Sequence, residues 1–200
     1  MNSNNNYYEY YAKNVINNIY PYLINDLEIY CPFPIENKII LEIGTGPGYV
    51  LKALSKKKFS KILGIDKSLD MLLRAKQLNN HADKLTLCCS KAEKIPFKTA
   101  YVDIVISRGS MFFWDDIEAS FMEIYRVLKP NGFAMLGGGY GLSTPESLIT
   151  EISNYQENHK HRSLKPKIDI EKCLDIMRNI GGKAGIESKK GHGFWLIWNK

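Results

Sequence analysis

The stretch ILEIGTGPGYVLKAL, residues 40–54, decides how the rest of this chain is read. Its apolar run ends at Ile43, glycines follow at positions 44, 46 and 48, and apolar residues then recur at helical spacing. A strand buried on both faces is apolar throughout, whereas a helix repeats every 3.6 residues, so the pattern predicts strand, turn and helix in that order. Three glycines leave the turn bare enough for a ligand to approach its backbone.

Outward from this unit the same rhythm repeats. KIILEI (38–43) and KILGID (61–66) read as the first two strands, with helices over 47–57 and 68–79, the second N-capped by Ser68. KLTLCC (84–89), YVDIVIS (101–107) and GFAMLGG (132–138) supply three more strands. DDIEASFMEIYRVLK (115–129) reads as an amphipathic helix stopped at Pro130-Asn131-Gly132. Upstream, residues 7–29 carry Tyr8, Tyr11, Val15, Ile16, Ile19 and Leu23 at helical spacing, with Pro21 as a break. Downstream, helices over 145–157 and 168–180 precede AGIESKK (184–190) and GFWLIWNK (193–200). The Gly191-His192 junction between those last two predicts an antiparallel hairpin at one sheet edge. Such alternation predicts an α/β fold: a Rossmann-like, seven-stranded, mostly parallel sheet with helices on both faces and one antiparallel strand at the C-terminal edge.

Bulk properties exclude more than they assign. At 200 residues and 44% apolar, the chain is sized for a single domain, 1–200, with a sizeable core. The formal charge of +6 is scattered along the chain, which implies weak attraction to anions and makes nucleic acid an unexpected partner. Four cysteines, at 31, 88, 89 and 173, show no metal-type CxxC spacing and read as buried, reduced thiols. MNSNNNYYEYYAKN has no apolar core of signal-peptide type, and no uninterrupted apolar stretch is long enough to cross a bilayer. A cytoplasmic protein without a membrane partner is the expectation.

In a doubly wound sheet ligands bind beyond the carboxyl ends of the strands, which is where Gly44–Gly48 falls. A dinucleotide fingerprint G-x-G-x-x-G starting at Gly44 needs glycine where Tyr49 stands, and a P-loop needs a Gly-Lys-Ser/Thr ending that is absent. What remains is E-x-G-x-G-x-G. Glu42 would repel a pyrophosphate but suits an ammonium group. Asp66, ending the second strand about twenty residues on, is placed to accept from both hydroxyls of a ribose. A ligand with a ribose, an amino-acid-like end and no phosphate fits, and S-adenosylmethionine (SAM) has all three properties.

With these residues in view the chain resembles the class I SAM-dependent methyltransferases, in particular the small branch that includes the ubiquinone/menaquinone-type enzymes. LEIGTGPG is similar to their first motif and GIDKSLDML to their second. KAEKIPF (91–97), YVDIVIS (101–107) and EIYRVLKPNG (123–132) resemble later motifs in the same order, over roughly residues 38–138. The resemblance implies an open sheet with a reversed last strand. It also implies that Gly44, Thr45, Gly46 and Gly48 line the methionine end of SAM, that Glu42 orients the amino group, that Asp66 holds the ribose, and that Lys67 and Met71 lie near the adenine. Ser107, at the end of the fourth strand, falls within the implied cofactor site. Family members often carry an acid at the position of Lys91, contacting the adenine amine. Lysine has no lone pair to offer, which leaves the Ala92 backbone and the Glu93 side chain for that contact.

The implied acceptor site is the loop SRGSMFFWDD (107–116). It lacks the Asn/Asp/Ser-Pro-Pro-aromatic motif of the DNA and RNA amino-methyltransferases, a cysteine nucleophile, and the acidic cluster of a magnesium-dependent site, so no metal is expected. Arg108 would grip a carboxylate or phosphate in bidentate fashion, or else pair with Asp115 or Asp116. Phe112, Phe113 and Trp114 would wall an apolar pocket or dock the loop on the core. Related small methyltransferases imply that residues 1–30 form a helical lid in which Tyr8 and Tyr11 meet the substrate, the alternative being packing on the sheet. GGGYG (137–141) would bring Tyr140 near the cleft, making it and Arg108 the candidates for placing the reactants. His159 and His161, among lysine and arginine, read as a solvated basic segment before a metal site. The functional expectation is methyl transfer from SAM by in-line displacement to a small-molecule acceptor, partly aromatic or apolar and anionic. The alternatives are an RNA or protein methyltransferase docking through the basic 159–167 segment, and a SAM-binding module without catalysis.

Overall fold

The computed structural model describes residues 15–158 and 166–200; Tyr7, Tyr8, Tyr10, Tyr11, His159 and His161 lie outside the described residues. The seven expected strands are present in order: β1 (Ile39–Ile43), β2 (Lys61–Asp66), β3 (Leu85–Cys89), β4 (Val102–Arg108), β5 (Leu128–Gly139), β6 (Lys183–Lys189) and β7 (Gly193–Asn199). They form one sheet in the order β3-β2-β1-β4-β5-β7-β6. Strands β1 to β5 pair in parallel, and β7 runs antiparallel to both β5 and β6. The single reversed strand therefore sits in the hairpin at the C-terminal edge, one place in, with β6 outermost.

Among the described residues six α-helices flank the sheet: α1 (Tyr20–Tyr30), α2 (Tyr49–Leu54), α3 (Leu69–Leu78), α4 (Ile117–Val127), α5 (Glu146–Asn158) and α6 (Ile170–Ile180). Their ends follow local chemistry. Pro21 opens α1 rather than kinking it, because the first turn has no partner for the missing N–H, and a short 3-10 turn (Ile16–Ile19) precedes it. Ser68 caps α3 by accepting from the Met71 N–H; Asp116 and Asp169 cap α4 and α6 in the same way.

Pro130-Asn131-Gly132 does not stop α4. That helix ends at Val127, Leu128 already pairs with Val102, and the proline segment forms an irregularity inside β5, with Asn131 at φ 62°.

Parallel strands bury both faces, and the core accordingly has two halves. Ile40, Ile104, Ile106 and Trp195 pack under α1, α2 and α5; Leu41, Val105, Leu196 and Trp198 pack under α4 and α6. Cys31 and Cys173 are buried and their thiols are pushed up to about 11 by that burial. Cys88 is half-buried and Cys89 exposed, contrary to the expectation for them, because β3 is an edge strand whose outer face meets solvent. Asp26 of α1 is wholly buried, and its carboxylate accepts from the Leu142 and Ser143 N–H groups and from Trp195 Nε1, tying α1 to the segment after β5. Among the described residues no helix is long and apolar enough to cross a membrane.

Candidate functional site

Strand order reverses between β1 and β4, so the connections leaving their carboxyl ends diverge and open a cleft. A cavity of about 330 Å³ lies there, lined from one side by Ile43, Gly44, Asp66 and Lys67 and from the other by Arg108, Gly109, Ser110, Phe113, Trp114 and Asp115, with Ser90–Glu93 along its far end.

The glycine turn is built by three different demands. Gly44 has φ 73° and sits so close to Ser110 that an added Cβ would overlap that side chain. Gly48, at φ 86°, is pressed against Ala75 of α3 and against Asn79, the residue that caps that helix's C-terminus, and Asn79 Nδ2 donates to its carbonyl at 3.0 Å. Gly46, at φ 53°, has open space where its side chain would be. Two glycines thus serve packing, and Gly46 presents bare backbone.

Asp66 welds this turn to β2. Its Oδ2 accepts from the Gly46 N–H at 2.8 Å and its Oδ1 from the Ser68 N–H at 2.9 Å, while Gly44 N and Thr45 N both donate to the Ile65 carbonyl. Each carboxylate oxygen has a second lone pair for a ligand hydroxyl.

Glu42 is 2% exposed, and its Oε2 has no hydrogen-bond partner. Burial drives its carboxyl well above the usual value; the Arg108 guanidinium opposes that rise and Asp66 adds to it. An acceptor buried without a donor is costly, and a cationic donor relieves both the charge and the missing bond.

Arg108 has no carboxylate within ion-pair distance among the described residues. Its Nε donates to the Gly139 carbonyl at 3.0 Å and its guanidinium lies 5.4 Å from the centre of the Tyr20 ring. Asp115 pairs instead with Lys91, and Asp116 is spent on capping α4. Glu93 Oε1 accepts from the backbone N–H groups of Asp115 and Asp116 at 2.7 and 3.1 Å, which shapes the loop after β4.

Of the residues singled out in the sequence, Gly44, Asp66, Lys67, Lys91, Ala92, Glu93, Arg108 and Trp114 come together on the cleft wall. Thr45 is buried below the turn, and Met71 donates its N–H to Ser68 outside the lining. Ser107 is buried 2.6 Å from the Ser110 hydroxyl, which in turn donates to the Ile43 carbonyl.

Phe112 turns away from the cleft and packs edge-on against Phe194, leaving Phe113, 49% exposed, to line it with Trp114. The Tyr140 hydroxyl bonds Gln156 of α5 and does not line the cleft. Gly137 of GGGYG admits close approach of the β7 backbone at Phe194 rather than of a ligand. Ser110 and Asp115, which fall in the expected acceptor loop but carry no ligand-binding role in the sequence reading, line the cleft; the glycine-to-serine contact that positions Ser110 joins residues 66 apart in the chain. No group of three or more His, Cys, Asp or Glu side chains suited to a metal ion occurs among the described residues.

With this geometry in hand, comparison with known proteins is informative. Residues 41–136 match a methyltransferase domain family. The crystal structure of a Methanococcus maripaludis protein assigned as an S-adenosyl-L-methionine-dependent methyltransferase superposes with a TM-score of 0.79 at 29% identity, covering 95% of this chain and 89% of that one. The chain carries a class I SAM-dependent methyltransferase domain.

Sequence relatives include a malonyl-[acyl-carrier protein] O-methyltransferase of Methylovorus, 26% identical over 74% of this chain and 51% of its own length. A cycloartenol-C-24-methyltransferase of rice is 28% identical over 80% and 44%. The chain spans about half the length of these curated relatives. This methyltransferase domain fits the cofactor of its class on its own geometry: the orphaned Glu42 oxygen matches an ammonium donor, the open Gly46 backbone a close-lying chain, and the spare lone pairs of Asp66 a pair of hydroxyls.

Proposed function

We propose that this protein transfers the methyl group of SAM to a small-molecule acceptor, partly apolar or aromatic and anionic, in the cytoplasm. The observation that carries the reading is Glu42: a carboxyl group buried at the end of β1 with one oxygen unpartnered, an acceptor that suits an ammonium donor and offers nothing to a diphosphate. When bound, SAM supplies a methyl group already activated on a sulfonium, so the acceptor needs only a lone pair in line with the carbon–sulfur bond.

The protein's part is placement, and placement alone lowers a barrier by as much as ~7–11 kcal/mol. Glu42 would hold the amino group, the turn at Gly44–Gly48 the methionine backbone, and Asp66 the ribose. Arg108, held by Gly139 and Tyr20 but free of carboxylates among the described residues, retains N–H groups for an anionic acceptor. Phe113 and Trp114 offer the apolar wall. Among the described residues no histidine lines the cleft, and its carboxylates Asp66, Glu93 and Asp115 are engaged in hydrogen bonds or an ion pair, so an acceptor that attacks in its deprotonated form fits this site best.

The test is calorimetry with SAM and its demethylated product S-adenosylhomocysteine on the wild type and Asp66→Ala. Binding to the wild type, weakened at least tenfold in the variant, supports the reading; equal affinities remove Asp66 from the cofactor site.

A further inference from the structure

The far end of the cleft raises a question of hydrogen-bond chemistry. Past Asp66 it runs between Lys67, Ser90, Lys91, Trp114 and Asp115. An adenine base lying there would present an exocyclic amine, which donates and so requires an acceptor. Lys91 has only donors. Glu93 Oε1 already accepts from two backbone N–H groups, those of residues 115 and 116, so that carboxylate is turned to the loop with only Oε2 left over.

Asp115 is different. Its backbone is pinned by Glu93, and its Oδ2 meets Lys91 Nζ at 2.7 Å, yet its side chain is 61% exposed and keeps lone pairs free. Lys91 holds the Asp115 carboxyl below its usual range, so it is an ionised acceptor at neutral pH. An exposed ion pair of this kind contributes little to fold stability, so the pair's value lies in where it holds the carboxylate.

Building on the cofactor reading above, we propose that Asp115 is the specificity-determining acceptor for the exocyclic amine of the cofactor's adenine, with Lys91 and Glu93 as the positioning residues that present it. The acid is supplied from the loop after β4, across the cleft from the end of β3, and the lysine at the end of β3 orients it. Lys91 then has the role of a bracket, which accounts for a cation standing beside a base that needs an acceptor.

Calorimetry on the intact chain tests this with S-adenosylhomocysteine and with its analogue in which unsubstituted purine replaces adenine. The wild type is expected to bind the adenine compound about tenfold more tightly than the purine one, the scale of one hydrogen bond to a charged group. Asp115→Ala, at an exposed position, is expected to bring that ratio to about one without weakening the purine analogue, and Lys91→Ala to narrow it. A wild-type ratio retained in Asp115→Ala overturns the proposal and leaves the cofactor reading standing. Failure of the wild type to bind S-adenosylhomocysteine overturns both. A ratio unchanged in Lys91→Ala removes the lysine from its positioning role.

Discussion

The turn after β1 and the loop after β4 face each other across one cleft and are built in opposite ways. The turn is mostly backbone: three glycines at positive φ, two N–H groups on the Ile65 carbonyl and one on Asp66. The loop is mostly side chain: Arg108 on a carbonyl and a ring, Phe112 half-buried against Phe194, Phe113 facing outward, Asp115 held by a lysine. Main-chain groups sit where their covalent geometry places them, so the turn tolerates almost no change. Long side chains reach their positions through rotamers and neighbours, so the loop can be altered one residue at a time. A cofactor common to a whole class suits the first kind of construction; the second suits contacts made side chain by side chain, those proposed for the acceptor at Arg108 and for the adenine at Asp115.

The largest expected effect breaks the rigid half. Gly44→Ala places a Cβ against Ser110 at a φ of 73°, combining overlap with backbone strain. A loss of about 2–4 kcal/mol is expected, read as a melting temperature lower by roughly 5–10 °C, with cofactor binding abolished. An unchanged melting temperature would show that the turn yields more easily than its contacts imply.

Arg108→Ala should separate the halves. Turnover with any competent acceptor is expected to fall about 100-fold, while the affinity for S-adenosylhomocysteine stays within about threefold, the cost of one charge-assisted grip on the acceptor. Loss of both together would move Arg108 into the cofactor half.

Glu42→Gln gives the smallest effect on the fold and the most informative sign. Burial raises the folded-state pKa of Glu42, so its contribution to stability is fully present below the ordinary glutamate value and is lost as pH rises through the raised value. Glutamine cannot ionise. The variant should therefore match the wild type in acid and gain melting temperature over it by a few degrees towards pH 8, while binding S-adenosylhomocysteine at least tenfold more weakly. Parallel pH profiles for the two proteins would mean that Glu42 does not ionise in this range.

Much of this was legible from local pattern. The glycine spacing and the aspartate about twenty residues later pointed to the turn and its partner, Ser68 to the start of α3, and strand–helix alternation to the sheet. These features are set by residues near in sequence: a cap is a side chain bonding three residues on, and a buried parallel strand is apolar throughout. Other features were misjudged for the complementary reason. Pro130-Asn131-Gly132 has the composition of a helix stop, yet pairing with β4 draws it into β5. Cys89 looks buried in an apolar run until β3 proves to be an edge. Phe112 and Phe113 are indistinguishable as letters, and one is turned inward by Phe194, about eighty residues away.

The amino-acid order by itself determined the sheet-and-helix alternation, the site at the end of β1, and the kind of ligand its carboxylates and bare turn suit, because hydrophobic period, φ freedom and charge are properties of single residues and their near neighbours. Only the tertiary structure decided that Asp115 pairs with Lys91 rather than with Arg108, that Asp26 is a buried knot joining α1 to β7, and which aromatic faces the cleft. Those outcomes depend on contacts between residues from about twenty to nearly one hundred and seventy positions apart, which exist only once the chain has closed on itself.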